Sequence, residues 1–244
     1  RSVVEGGAGG NPLYIEELAR AATTLHDGTL PETVLAMVEA RLEGFEAEAR
    51  RVLRAASLFG QTFWHGGVVQ LLGGAQHAAQ SAEWLQELET REVLCRRSEC
   101  RFPGEVEYVF RHAMLREAAY AMLTESDRTL GHRLAGRWLE RAGETDAMAL
   151  AGHFEHGQSS AAAAAAYLRA AEDALHGNDF EAALARVRRG LQCLAAAGGL
   201  DAETVELRRG VLPPEKTNRA NAGPLLLLQA EVHRWRCEFT DAER

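Results

Sequence analysis

The segment that decides the fold is VLCRRSECRFPGEVEYVFRHAMLREAAY, which runs from Val93 to Tyr120. Apolar residues alternate over Val93–Phe102 and Val106–Phe110, on either side of Pro103-Gly104. A two-residue period around a Pro-Gly turn predicts a two-stranded hairpin within a chain that is otherwise helical. A helix is predicted directly after the hairpin, and His112 lies at the junction between them.

Three short helices are predicted before this hairpin. Apolar residues recur at helical spacing from Glu46 to about Leu58, from Trp64 to Leu72 and from Ala78 to Leu88. A further helix is predicted over Ala113–Leu123, after the hairpin. Three helices followed by a hairpin describe a winged helix, so residues 46–124 are predicted to form a winged-helix domain.

Helical spacing is also present before residue 46. The apolar residues Leu13, Ile15 and Leu18 form one set, and a second set follows the turn-like His26-Asp27-Gly28 and Pro31. Residues 1–45 are therefore predicted to contain two helices. Because the chain opens at Arg1 and enters a helix almost at once, we expect further protein upstream.

The last part of the chain contains two similar segments, HGNDFEAAL (His176–Leu184) and WRCEFTDAE (Trp235–Glu243). Each combines a turn, an acidic residue, Phe and a small residue, which is typical of tetratricopeptide helix pairs of about 34 residues. The larger separation here predicts an irregular connection over Gly198–Gly223. We expect linking helices over 125–160, and repeats over 161–244 that continue beyond Arg244.

Composition narrows the classes of function. The chain has 244 residues, 46% of them hydrophobic, and a formal net charge of -8. This charge disfavours a nucleic-acid partner. The absence of a long apolar run and of a signal peptide predicts no membrane partner and a cytoplasmic location. The four cysteines lack paired metal spacing and are expected to be reduced.

Four motifs occur in one order: GNPLYIEEL (Gly10–Leu18), FRHAMLREAAY (Phe110–Tyr120), LGHRLAGRWLE (Leu130–Glu140) and the two repeat segments. Together they resemble the signal-transduction ATPases with numerous domains, called STAND proteins. The resemblance implies a mainly α chain: C-terminal helices of an ATPase module over 1–45, a winged helix with a two-stranded hairpin, and an α-α tetratricopeptide-like superhelix. Bacterial relatives join such parts to a serine/threonine kinase, a cyclase or a helix-turn-helix effector.

The same resemblance implies a nucleotide-sensing role for Asn11, Pro12 and His112. In that family a Gly-x-Pro segment lines the adenine pocket, and Gly10-Asn11-Pro12 matches it. The histidine of a Met-His-Asp motif reads the β-phosphate of ADP, and Arg111-His112-Ala113 keeps only that histidine. The alternatives are a helix start at Pro12 and a local hydrogen bond from His112. ATP or ADP with Mg²⁺ would be bound by the parent, not by this chain alone.

Three other patterns are set aside. The third predicted helix, SAEWLQELE (Ser81–Glu89), has three glutamates and no basic residue and would repel DNA phosphates. GVLPPEKT (Gly210–Thr217) mimics a phosphate-binding loop, but its prolines remove two backbone donors and Glu215 adds a negative charge. His153 and His156 lack further zinc ligands nearby in sequence and are interpreted as helix-surface residues.

The sequence thus predicts a regulatory fragment that couples the nucleotide state of a parent ATPase to a protein or peptide ligand on helical repeats. No catalytic residue or metal site is predicted, so the chain itself is not expected to be an enzyme. Two alternatives stay open: a stand-alone tetratricopeptide interaction module, and a winged-helix DNA-binding regulator. Upstream ATPase and effector domains would be partners within the same chain.

Overall fold

The computed structural model describes residues 34–197 and 219–235. Within these ranges the chain is mainly helical, with one small antiparallel sheet, so the prediction of a mainly α protein is confirmed. The chain divides into two compact units, Arg1–Arg128 and Thr129–Arg244. In these described parts, no helix combines the length and apolar character that crossing a bilayer requires.

The first unit alternates helices with short strands. Its elements, in chain order, are α1 (Val34–Glu43), α2 (Ala47–Ser57), β1 (Thr62–Trp64), α3 (His65–Leu71), a 3-10 turn (Ala75–His77), α4 (Ala78–Thr90), β2 (Leu94–Arg96), β3 (Glu107–Phe110) and α5 (Ala113–Ala121).

The spacing of apolar residues explains how these helices pack. In α2 the buried residues Ala49, Val52, Leu53 and Ala56 recur at helical intervals and form one face. This helix contacts α4 and α5, and α5 also contacts α1. The sequence correctly predicted helices in these positions, with ends that differ by a few residues.

The two strands of the predicted hairpin are present as β2 and β3, but the sheet has a third strand that was not predicted, in the order β1-β3-β2. β3 pairs antiparallel with β1, Thr62 opposite Val109, and with β2, Leu94 opposite Phe110. The segment Thr62–Trp64 had been assigned in part to a helix. Its β-branched and aromatic side chains suit a strand, and a third strand supports a hairpin that is marginal alone.

Aromatic rings fill the space beneath the sheet. The Phe63 ring lies 5.7 Å from the Tyr108 ring and 5.3 Å from the Phe110 ring, centroid to centroid. Phe63 and Phe110 are almost fully buried, together with Leu85, Leu88 and Leu115 from α4 and α5. The core of the first unit therefore contains residues of the sheet together with residues of the helices that precede and follow its strands in the chain.

The described residues of the second unit form helices and short turns. The helices are α6 (Glu125–Ala142), whose first residues belong to the first unit, α7 (Ala147–His156), α8 (Ser160–His176), α9 (Phe180–Ala196) and α10 (Arg219–Trp235). α8 packs against α7, α9 and α10, and α9 also packs against α10.

Small residues let these helices approach closely. α8 buries alanines such as Ala164, Ala170 and Ala171 along its length. The turn between α8 and α9 has Asn178 in the left-handed region, with φ 58°, and Asp179 accepts a hydrogen bond from the Ala182 N–H. The turn predicted from HGNDFEAAL is therefore present.

The predicted irregular connection over Gly198–Gly223 ends earlier than expected, because Arg219–Gly223 are the first residues of α10. α10 continues through Pro224, although a proline removes one helical hydrogen bond. Leu225 and Leu228 are buried against Leu191 and Leu194 of α9, and this packing stabilises the helix through the proline. The remainder of that connection and most of WRCEFTDAE lie outside the described residues.

We predict that Gly157→Ala destabilises the second unit. A Cβ at Gly157 would lie 2.6 Å from the Arg133 backbone nitrogen and 2.7 Å from its Cα, which cannot move without shifting α6. Overpacking of this kind costs about 1–3 kcal/mol. Urea unfolding followed by circular dichroism measures the change.

The control is Gly152→Ala within α7, the helix that Gly157 follows, where an added Cβ meets nothing within 4 Å. Alanine favours a helix interior over glycine by about 0.5–1 kcal/mol, so this variant should be as stable as the wild type or more stable. Equal effects of the two substitutions would contradict the close contact at Gly157.

Candidate functional site

His112 occupies the N-cap position of α5, two residues after the end of β3. Its backbone is extended, with φ -135° and ψ 142°, and its carbonyl oxygen accepts a hydrogen bond from the Leu115 N–H at 3.1 Å. The side chain makes no capping hydrogen bond to α5, and Nε2 is buried. His112 thus contributes to the start of α5 through its backbone carbonyl.

The junction around His112 is fixed from both sides. The Arg111 N–H donates to the Val93 carbonyl at 3.0 Å, and the Arg111 guanidinium pairs with Glu92 at 3.0 Å. On the helix side, Arg116 donates to the Ser57 carbonyl at 3.4 Å. These bonds tie the ends of β3 and α5 to neighbouring elements, so the position of His112 is determined by the fold of the whole first unit.

The other two residues predicted to sense nucleotide, Asn11 and Pro12, lie outside the described residues. The segment GVLPPEKT also lies outside them. The structure therefore shows the position of His112. That His112 shares a nucleotide site with Asn11 and Pro12 stays a prediction.

A second feature of the first unit is an open cleft of about 410 Å³ beside the sheet. It is lined by Thr62, Trp64, Arg97, Glu99, Cys100, Arg101 and Glu107. Glu107 is 5% exposed, and its Oε2 accepts hydrogen bonds from Trp64 Nε1 and from the Arg101 backbone N–H, both at 3.1 Å. Arg97 lies 3.5 Å from Oε1. These contacts hold the residues after β2 against the sheet.

The arrangement in this cleft indicates a structural role for Glu107. A buried carboxylate is costly unless its charge is paired and its oxygens are hydrogen-bonded. Both oxygens of Glu107 have such partners. No pattern in the sequence pointed to Glu107, because its partners Trp64 and Arg101 meet it only in the folded sheet.

In the second unit, Glu155 joins three helices. Its carboxylate accepts hydrogen bonds from the Tyr167 hydroxyl on α8 and from the Arg189 guanidinium on α9. Burial acts to raise the pKa of Glu155, but the bonds from Arg189 and Tyr167 outweigh it and leave the pKa lowered. Burial and Glu155 raise the pKa of Tyr167 to about 12.

Cys193 lies next to this network. Burial raises the pKa of its thiol, and the negative charge of Glu155 adds to the effect. The thiol therefore stays protonated near neutral pH, and a protonated thiol is a poor nucleophile. Among the described cysteines, Cys95, Cys100 and Cys193 are all free.

The structure changes the interpretation of His153 and His156, which were predicted to be surface residues. His156 is exposed, whereas His153 is half-buried. His132 of α6 lies beside both of them: its Nδ1 is 3.2 Å from Nδ1 of His153, and its ring centroid is 5.0 Å from that of His156. Within the described residues, no group of three or more His, Cys, Asp or Glu side chains could hold a metal ion.

The three glutamates of α4 that the sequence analysis identified are exposed or partly exposed. Glu83 is exposed, Glu87 pairs with Arg91 at 2.6 Å, and Glu89 accepts a hydrogen bond from the Arg96 N–H at 3.3 Å. A helix with carboxylates at its surface is not suited to contact DNA phosphates.

Comparison with known proteins gave no relative: no protein-family model matches the chain, and no similar curated protein or solved structure was found.

We predict that Glu107→Gln destabilises the first unit by roughly 1–2 kcal/mol, because hydrogen bonds to a charged acceptor are about twice as strong as those to a neutral one. Glu99→Gln is the control, since Glu99 lines the same cleft but is exposed. Urea unfolding monitored by tryptophan fluorescence compares the two. Loss of the same stability in both variants would show that the buried bonds of Glu107 are not responsible.

Proposed function

We propose that this chain is the regulatory part of a cytoplasmic STAND-type signalling ATPase. In this proposal, residues 46–124 form a winged helix that responds to nucleotide bound by the parent protein. The helices of the second unit form a tetratricopeptide-like array that binds a protein or peptide ligand. The chain itself carries no catalytic step.

The observation that carries this proposal is the order of elements in the first unit. The chain runs α2-β1-α3-α4-β2-β3, with the strands arranged β1-β3-β2. Three helices with a strand after the first and a hairpin after the third describe a winged helix. His112 follows β3 directly, at the position in which the STAND resemblance expects its sensing histidine.

The second unit supports the other half of the proposal. α8 and α9 are joined by a short turn and pack along their lengths, and α10 then packs on both of them. In helical repeats each pair buries one face on its neighbours and leaves another face available for a ligand. Gly190 illustrates the close packing, because a Cβ there would lie 3.0 Å from Leu225 of α10.

The proposed mechanism is a shift between two states. ADP, held by a phosphate loop of the parent and contacted by Asn11, Pro12 and His112, favours a closed state. A ligand on the repeats favours an open state, which ATP with Mg²⁺ then stabilises. The role of His112 requires its imidazole to reach a phosphate of the bound nucleotide.

DNA binding is the less favoured alternative. In a winged helix the third helix enters the major groove, and here that helix is α4, with Glu83 exposed and Glu87 and Glu89 beside it. The arginines after β2 are partly engaged with acidic groups, as Arg97 is with Glu107. A fluorescently labelled duplex at low salt should therefore show no binding that weakens steeply with added salt.

The first test is to read the coding sequence upstream of Arg1 in frame and purify the complete protein. We expect G-x-x-x-x-G-K-[ST], a Walker-B aspartate, and bound ADP detected by chromatography after denaturation. If the open reading frame lacks both motifs and the purified protein contains no nucleotide, the proposal is wrong and the alternative of a helical interaction module is favoured.

We predict that His112→Ala in that complete protein weakens ADP binding by roughly tenfold or more, the worth of one hydrogen bond to a charged group. Basal signalling should rise, because the closed state loses a contact. Isothermal titration calorimetry measures the affinity, with His176→Ala at an exposed position as the control. An unchanged affinity in the His112 variant would rule out the sensing role.

A further inference from the structure

Three histidines meet where α6 contacts α7. His132 of α6 and His153 of α7 face each other through their Nδ1 atoms, which are 3.2 Å apart. The ring of His132 is 5.2 Å from the ring of His153 and 5.0 Å from the ring of His156, centroid to centroid. The group formed by His132, His153 and His156 is called the histidine cluster below.

The helices around the histidine cluster are in close contact. Gly136 of α6 lies against α7, and a Cβ there would be 3.0 Å from the Phe154 ring and 3.2 Å from the His153 Cβ. At the end of α7, Gly157 leaves no room for a side chain against the Arg133 backbone. This packing brings the backbones that carry His132 and His153 close together.

The hydrogen bonds of the histidine cluster fit neutral imidazoles. Between His132 and His153, one Nδ1 must carry a proton and the other must accept it, as two neutral rings can do. His156 Nδ1 lies 2.7 Å from the Gly152 carbonyl oxygen, so this nitrogen carries a proton and donates it to the carbonyl. If His132 and His153 were both protonated, two N–H groups and two positive charges would face each other.

We propose that the histidine cluster is a proton-sensitive latch between α6 and α7. The hydrogen bond between neutral His132 and His153 holds the two helices together near neutral pH, and acid weakens this contact by protonating the pair. α6 is the helix through which the chain passes from the first unit to the second. The latch therefore makes the attachment of this connecting helix to the repeat-like helices dependent on pH.

The surroundings of His153 favour its neutral form. Burial lowers the pKa of His153 to about 4, and the positive charge of His156 contributes in the same direction. Two carboxylates of these helices have other partners. Glu155 binds Arg189 and Tyr167, and the charge of His156 also lowers the pKa of Glu155. Glu140 pairs with Arg169 of α8 at 3.6 Å.

The direction of the pH effect follows from this lowered pKa. The unfolded chain binds a proton at His153 as the pH falls through 6.5, whereas the folded chain binds it only near pH 4. The stabilisation is therefore complete above pH 6.5 and is lost progressively between pH 6.5 and 4. For this one group, the folding equilibrium constant should fall roughly 20-fold between pH 7 and pH 5.

The test uses the 244-residue chain, its His153→Asn variant and a His176→Asn control. Asparagine keeps a hydrogen-bonding group near the position of Nδ1 but does not titrate. Thermal and urea unfolding are measured at pH 7 and pH 5. Between these two pH values, the folding equilibrium constant of the wild type and of the control should fall roughly 20-fold more than that of His153→Asn. Glu155 is present in all three proteins, so its own contribution cancels in the comparison.

An NMR titration of the imidazole Cε1–H signals of the wild type provides a second, independent measurement. The signal of His153 should remain that of a neutral ring at pH 6 and change with a midpoint of about 4. Equal pH dependence of stability in the wild type and His153→Asn, or a His153 midpoint at pH 6 or above, would overturn the latch. If His153→Asn does not fold, the titration of the wild type decides alone.

Discussion

Backbone hydrogen bonds between β1 and β3 hold together segments that are far apart in the sequence, such as Trp64 and Glu107, which are 43 positions apart. At the two ends of this pairing, the His65 N–H donates to the Val106 carbonyl and the Phe110 N–H donates to the Gln61 carbonyl. These bonds fix where β3 begins and ends. Because α5 starts three residues after β3, they also fix the position of the junction that contains His112.

The second unit depends on a different balance, in which polar groups are enclosed between closely packed helices. Alanines and glycines bring the helix axes together, and this proximity removes water from side chains such as Glu155 and His153. Glu155 remains charged because Arg189 and Tyr167 bind it. His153 is held neutral because burial and a neighbouring histidine oppose its protonation. Among these closely packed helices, Glu155 is therefore charged and His153 is neutral.

Much of the fold could be predicted because local patterns determine it. The helical spacing in α2, the alternation after Val93 and the turn at Gly177-Asn178 are each read within a short window of sequence. β1 was missed because Thr62–Trp64 is three residues long, and its strand conformation depends on pairing with β3. Of the candidate nucleotide residues, His112 was correctly placed at the strand-helix junction, whereas Asn11 and Pro12 lie outside the described residues.

The sequence by itself determined that the chain is mainly helical, where most helices begin and end, and that a histidine stands between a strand and a helix. These properties follow from periodicity, turn residues and propensity, which act over a few positions. Only the tertiary structure decided the three-stranded sheet, the burial of Glu107 and the meeting of His132 with His153 and His156. Each of these depends on contacts between distant segments, because burial and proximity are properties of the packed chain and not of any local pattern.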